Sequence, residues 1–149
     1  MKNNTLAAAY AEDKRIEAAF DQADLNNDEA GKTAARNAHK AFEDNLRAQG
    51  KAYCSAYRLY AEAQRRGNAL VDISEPIPAN SLKDLLDTLR GNGIEEFTFS
   101  STWSSAVETA WFFTETGCTL AGMTEINGAC KNIWGDSFER VPAFLFRLN

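Results

Sequence analysis

Apolar residues recur every three to four positions along the first 66 residues, and the rhythm then changes. Leu6, Ala9, Tyr10, Ile16, Phe20 and Ala23 fall on one side of a helix at about 100° per residue. That spacing predicts a first helix from about Thr5 to Ala23. Asp24-Leu25-Asn26-Asn27-Asp28 interrupts it, and Asn27 or Asp28 suits the N-cap of the next helix. The acidic spacing there resembles the start of a calcium loop. Glu29, however, stands where such a loop needs Gly, and Ala35 where it needs a bidentate Glu.

Ala34, Ala38, Ala41, Phe42 and Leu46 share an arc with Ala52, Tyr53, Ala56, Leu59, Tyr60 and Ala63, on the two sides of Gly50. The preserved phase predicts one helix from about residue 29 to 66, on the order of 55 Å long. Its many alanines allow close antiparallel packing on the first helix. Gly67-Asn68 supplies the stop.

Beyond residue 68 the chain gains Phe, Trp, Thr, Ser and Gly, which suit strands and turns. The junction Val71 to Pro78 reads as extended, because Pro76 and Pro78 disfavour helix. Leu82, Leu85, Leu86 and Leu89 form the stripe of a short helix, with Ser81 and Asp84 at capping-box spacing and Gly91-Asn92-Gly93 at its end. A strand follows over 94–100, with Phe97 and Phe99 on one face. A further helix spans about Thr102 to Thr116. It places Trp103, Ala106, Val107, Ala110, Trp111 and Phe113 on one side and Phe112 on the other. Strands are expected over 118–126 and 141–148, with turn signals at Asn127-Gly128 and Gly135-Asp136 and Pro142 at a strand start or edge. The fold class read from this order is α+β. A long antiparallel helical hairpin (1–68) leads through an extended linker (69–80) to a small αβαββ domain (81–149) with a three- to four-stranded sheet.

Composition narrows the function classes. The 149 residues carry a net charge of −5. Residues 1–75 hold 11 Lys+Arg against 12 Asp+Glu, and residues 76–149 hold 5 against 9. The second half is therefore a poor grip for phosphate. No apolar run is long enough for a membrane span. Charged residues from Glu12 onward come too soon for a signal-peptide core, so a cytoplasmic protein is expected. Cys54, Cys118 and Cys130 are odd in number and scattered, which reads as free buried thiols rather than a disulfide or zinc framework.

Candidate chemistry is sparse. The lone His39 lies among Arg36, Asn37 and Lys40 and reads as a surface residue. Ser100, Ser101, Thr102, Ser104 and Ser105 crowd one turn, where helix capping explains them better than a nucleophile lacking the glycines of a nucleophile elbow. No phosphate-cradling glycine pattern occurs, and no cofactor or metal is expected. Arg36, Lys40, Arg47, Lys51, Arg58 and Arg65 form a basic stripe if the long helix is continuous, suited to a phosphate backbone or an acidic groove. Glu43, Asp44 and Glu62 alongside favour a solvated face. The acids Glu95, Glu96, Glu115, Glu125, Asp136 and Glu139 could occupy a basic channel. Phe112, opposite its helix's main stripe, reads as packing under the long helix or the Trp134 loop, or else as a binding hot spot.

Four pieces carry a resemblance: Phe97 to Ser104, Glu108 to Trp111, Gly122 to Gly128 and Val141 to Phe146. Through them the run from Ser81 to Asn149 resembles uncharacterised small proteins of phages, plasmids and conjugative elements of Gram-positive gut bacteria. The resemblance transfers no catalytic residue. It implies a mobile-element accessory protein, and in size and charge the chain is similar to anti-CRISPR proteins. The expected function is a non-enzymatic inhibitor, monomeric or homodimeric and not membrane-bound. It would occlude a host protein or nucleoprotein machine such as a CRISPR effector nuclease. The alternatives are a nucleic-acid-binding factor using the basic stripe and an enzyme with an unfamiliar site around residues 100–105.

Overall fold

A glycine divides the second helix. In the computed structural model, which describes residues 3–75 and 77–149, α1 spans Thr5–Leu25, α2 Glu29–Ala48 and α3 Lys51–Arg66. Gly50 between α2 and α3 has φ +101°, a backbone conformation that ends a right-handed helix. The expected single long helix is therefore corrected to two. Cys54 Sγ donates to the Leu46 carbonyl at 3.3 Å, and the Phe42 and Tyr57 rings meet at 5.6 Å. Fifteen residues along a straight helix would hold those rings about 22 Å apart. The phase survives the bend because both halves turn their apolar arcs inward. α2 packs on α1, where Lys32 pairs with Asp24 at 2.9 Å and Arg36 lies 5.4 Å from the Phe20 ring. α3 crosses the other half of α1, with Tyr60 edge-on to Tyr10 and the Tyr57 hydroxyl donating to Asp13 at 2.7 Å.

The caps follow the local sequence. Asp28 caps α2 by accepting from the Gly31 N–H at 2.9 Å. Gly67, left-handed at φ +72°, closes α3. One correction concerns α4, Ala79–Gly91, whose N-cap position is Pro78 rather than Ser81 and makes no side-chain capping bond. Pro76, half of the expected double-proline break, lies outside the described residues.

The remaining elements are β1 (Asp72–Ile73), β2 (Glu96–Phe99), α5 (Ala106–Glu115), β3 (Cys118–Lys131) and β4 (Phe138–Leu148). They form a mixed four-stranded sheet in the order β1-β2-β4-β3, with β1 parallel to β2 and the other pairs antiparallel. The α+β class stands, with helices first and the sheet after. The stretch 69–80 is more than a linker, because it contributes β1, and Val71, Asp72 and Ile73 are all buried. Asn127-Gly128 is another correction. It lies within β3, and the hairpin turns instead at 132–137, around Gly135-Asp136. Pro142 falls inside β4, beyond the last residue paired with β2, where its missing N–H leaves no gap in the β2 ladder.

The core lies between the sheet and the helices. Phe97 and Phe99 of β2, Phe146 of β4 and Phe113 of α5 are all buried. Phe113 meets the other three rings at 4.9, 5.2 and 5.0 Å. Each such pair contributes about 0.5–1.5 kcal/mol beyond area burial. Leu82, Leu85, Leu86 and Leu89 of α4, Ile73 of β1, and Tyr53, Ala56 and Tyr57 of α3 continue the same cluster.

Candidate functional site

The sheet face that carries Phe97, Phe99, Phe144 and Phe146 is covered on one side only. Cross-strand register puts Leu120 and Met123 of β3 on that face, opposite Phe146 and Phe144. α5 lies over β2 and β4, as the Phe113 contacts show. Its flank of Ser105, Glu108, Thr109 and Phe112 faces α4 across a cleft lined by Ile77, Pro78 and Leu82. Helical geometry then turns Val107 and Trp111 to the opposite flank, toward β3, against which α5 also packs.

That corner is open. Val107 is 81% exposed, Trp111 67%, Met123 67%, Leu120 49% and Phe144 36%. Trp103, one turn before Val107, is 61% exposed. Five large apolar residues exposed together at one corner are more than the scattered single hydrophobics of an ordinary surface. The stripe expected to bury one side of α5 is thus split. Ala106, Ala110 and Phe113 pack on the core, whereas Trp103, Val107 and Trp111 face solvent. A second apolar pair, Ile133 and Trp134, stands at the tip of the β3–β4 ribbon at 88% and 96% exposure. The tip is closed by Asn132, whose N–H donates to the Ser137 carbonyl and whose Nδ2 donates to Ser137 Oγ, both at 2.8 Å.

The segment that bears α5 and most of β3 carries charge of one sign. Residues 100–130 contain Glu108, Glu115 and Glu125 and no Lys, Arg or His. Glu125 meets Arg140 Nε at 3.9 Å, which leaves Glu108 and Glu115 as the exposed acids of α5.

The residues singled out in the sequence are not gathered into one site. With the helix broken at Gly50, Arg36, Lys40 and Arg47 lie on α2, and Lys51, Arg58 and Arg65 on α3, so the continuous basic stripe is corrected. All six are exposed. Arg47 pairs with Asp44 at 3.2 Å, Arg58 with Glu75 at 3.8 Å, and Arg65 Nε with Glu62 at 2.9 Å. Arg65 and Arg66 hold the Glu62 carboxyl down at about 2. Glu96 pairs with Arg147 across the sheet at 3.3 Å, and Glu95 and Glu115 are exposed at separate places. Phe112 is half-buried against α4, not under the long helix or the Trp134 loop. His39 is exposed beside Glu43 at 3.2 Å. Of the cysteines, Cys118 is buried, Cys54 half-buried and Cys130 exposed, which corrects the expectation of three buried thiols.

The hydroxyl-rich turn has structural partners. Ser100 Oγ donates to Asp72 Oδ2 at 2.6 Å, and Thr98 Oγ1 donates to Asp72 Oδ1 at 2.7 Å. Asp72 is buried, and that burial raises its pKa against the lowering pull of the two hydroxyls and Arg66. These bonds fasten β1 to β2 beside a cleft of about 190 Å³ between α3 and β1. The Ser101 hydroxyl accepts from the Trp103 N–H at 3.3 Å.

The exposed corner was missed in the sequence because helical phase identifies an apolar side, not which part of it a narrow sheet covers. The signal available was the absence of any basic residue from 100 to 130 around Trp103, Val107 and Trp111.

No curated protein and no solved structure matches this chain. A family described as a domain of unknown function, DUF7698, matches residues 55–148, which take in the whole sheet, α4, α5 and most of α3. The match spans more than half of the chain, and the protein belongs to the DUF7698 family.

Proposed function

We propose that this protein is a non-enzymatic binding protein that docks on a protein partner through the open corner between α5 and β3. The observation that carries this reading is the uncovered apolar surface of Val107, Trp111, Leu120, Met123 and Phe144. An apolar corner with a Trp at its wall is the arrangement that concentrates binding energy in a few residues. The biological setting proposed is the one its resemblance implies. The protein is a mobile-element accessory factor that inhibits a host protein or nucleoprotein machine by occlusion, a CRISPR effector nuclease being one such machine. Division of the basic stripe by Gly50, and pairing of Arg47, Arg58 and Arg65 with acids, weigh against nucleic acid as the primary partner.

The test is a nuclease-treated pull-down with three baits: wild type, Trp111→Ser/Met123→Ser, and Arg47→Glu/Lys51→Glu/Arg58→Glu. The corner variant should lose the partner captured by wild type, and the stripe variant should keep it. Loss with the stripe variant alone would overturn the reading in favour of the basic helices.

A further inference from the structure

The chain contains two Asn-Gly pairs, Asn92-Gly93 and Asn127-Gly128. In an open chain this dipeptide readily loses its side-chain amide. The glycine nitrogen attacks the asparagine Cγ, and the new C–N bond closes a succinimide ring. The side-chain amide leaves as ammonia, taking the glycine's proton. Water then opens the ring to aspartate or isoaspartate. Glycine favours the attack because no Cβ blocks the approach. In the second pair the fold requires both residues. A Cβ at position 128 would stand 2.9 Å from Val141 Cγ1 and 3.3 Å from the Glu139 carbonyl oxygen, so a side chain there would collide with β4. Asn127 joins α3 to both strands of the ribbon. Its Nδ2 donates to the Arg66 carbonyl at 2.6 Å, and its Oδ1 accepts from Arg140 Nη1 at 2.9 Å. Its backbone N–H and C=O are both taken by the Asn68 amide.

We infer that Asn127-Gly128 is a latent deamidation site, closed while Asn68 and Arg140 hold Asn127 and opened when the β3–β4 ribbon parts from α3. Ring closure needs the Asn127 backbone to leave the extended conformation of β3 and its amide to swing toward the Gly128 nitrogen. Both movements break the four hydrogen bonds that hold the residue. Gly128, the attacking residue, is itself buried. Reaction would be one-way. Aspartate has no N–H for the Arg66 carbonyl and would set a carboxylate oxygen against it. Isoaspartate adds a methylene to the main chain and shifts β3 against β4. Asn92 supplies an internal reference. Its Oδ1 accepts from the Thr5 N–H at 2.9 Å and the Thr5 hydroxyl at 2.8 Å, and its Nδ2 donates to the Thr88 carbonyl at 2.9 Å. That clamp shares no residue with the one on Asn127.

The experiment incubates the full chain in mildly alkaline buffer and follows each Asn-Gly pair by peptide mass mapping, with aspartate and isoaspartate separated by retention. Wild type is compared in buffer and in unfolding urea, and with Asn68→Ala in buffer. Both pairs of wild type should react slowly in buffer and fast in urea. In Asn68→Ala, position 127 should react about tenfold faster than in wild type, while position 92 keeps its rate. Equal rates at position 127 in folded and unfolded wild type would overturn the inference. So would an unchanged rate at position 127 in Asn68→Ala. A parallel rise at position 92 in that variant would assign the protection to global stability and overturn the local clamp. Asn127→Asp supplies the product directly. Its urea midpoint should fall below that of wild type at constant slope, and an unchanged midpoint would contradict the release of α3 from the ribbon.

Discussion

The side-chain amide of Asn68 pairs with both backbone groups of Asn127. Its Nδ2 donates to the Asn127 carbonyl at 2.9 Å, and its Oδ1 accepts the Asn127 N–H at 2.9 Å. One side chain thus does for the edge of β3 what a neighbouring strand would do. The contact also joins the end of α3 to the middle of the ribbon, where Asn127 Nδ2 donates to the Arg66 carbonyl at 2.6 Å. Asn68→Ala should cost about 1–3 kcal/mol, because two partly buried backbone groups lose their partner. Urea unfolding measures it, with a midpoint shift at constant slope as the expected form. An unchanged midpoint would mean that water replaces the amide at no cost.

Gly50 sets the angle between α2 and α3. No atom lies within 4 Å of where a Cβ would stand, so a substitution there reports on backbone conformation alone. Gly50→Ala should destabilise the fold by about 1–2 kcal/mol, since φ +101° is a region that L side chains rarely adopt. Thermal melting checks this. A stabilised variant would show that the chain prefers the straight helix its apolar phase suggests.

Two carboxyls give stability opposite dependence on pH. Asp72 has a pKa raised by burial above its ordinary 3.8, so the proton is held more tightly in the folded state. Its contribution is complete below that value and is lost as pH rises through the folded-state pKa. Asp72→Asn removes the titration and keeps a side chain that can bond both hydroxyls. The stability difference between wild type and Asp72→Asn should therefore move in favour of Asn between pH 3 and 7. A shift toward Asp would contradict the burial argument. Glu62, depressed to about 2 by Arg65 and Arg66, behaves in reverse. Its contribution is present above its ordinary 4.5 and lost as pH falls through about 2, and Glu62→Gln should flatten that limb of the curve.

The open corner and the core beneath it should separate in stability measurements. Phe113→Ala removes a fully buried ring and should cost about 3–5 kcal/mol. Trp111→Ser and Met123→Ser lie within a few residues of it in space or sequence, yet each should change stability by no more than about 0.5 kcal/mol. Chemical denaturation of the three variants gives the comparison. A large loss at Trp111 would mean that it serves the fold of the free protein rather than a partner.

The order of elements was legible because each depends on nearby residues. Asp28 as a cap, Gly67 as a stop, the four leucines of α4 and the alternation of Phe97 and Phe99 all act locally, and all hold in the structure. What failed depends on distant partners. The break at Gly50 leaves no trace in helical phase, because α1 and the core receive both halves on the same arc. Asn127-Gly128 has the composition of a hairpin turn, but Asn68 and Arg140 hold it inside a strand. The basic stripe dissolved with the long helix. The open corner was hidden because Trp103, Val107 and Trp111 share a helical side with Ala106, Ala110 and Phe113, and only the last three lie over the sheet.

The central claim, that the corner between α5 and β3 is the docking surface, is tested most directly by site-specific photo-crosslinking in the cell that carries the gene. A photoreactive amino acid is placed at Val107, on the corner, and in a separate variant at Lys40, on the exposed face of α2. The account predicts a discrete heavier adduct from position 107, resistant to nuclease, and none from position 40. An adduct from position 40 alone, or from neither position, would contradict it.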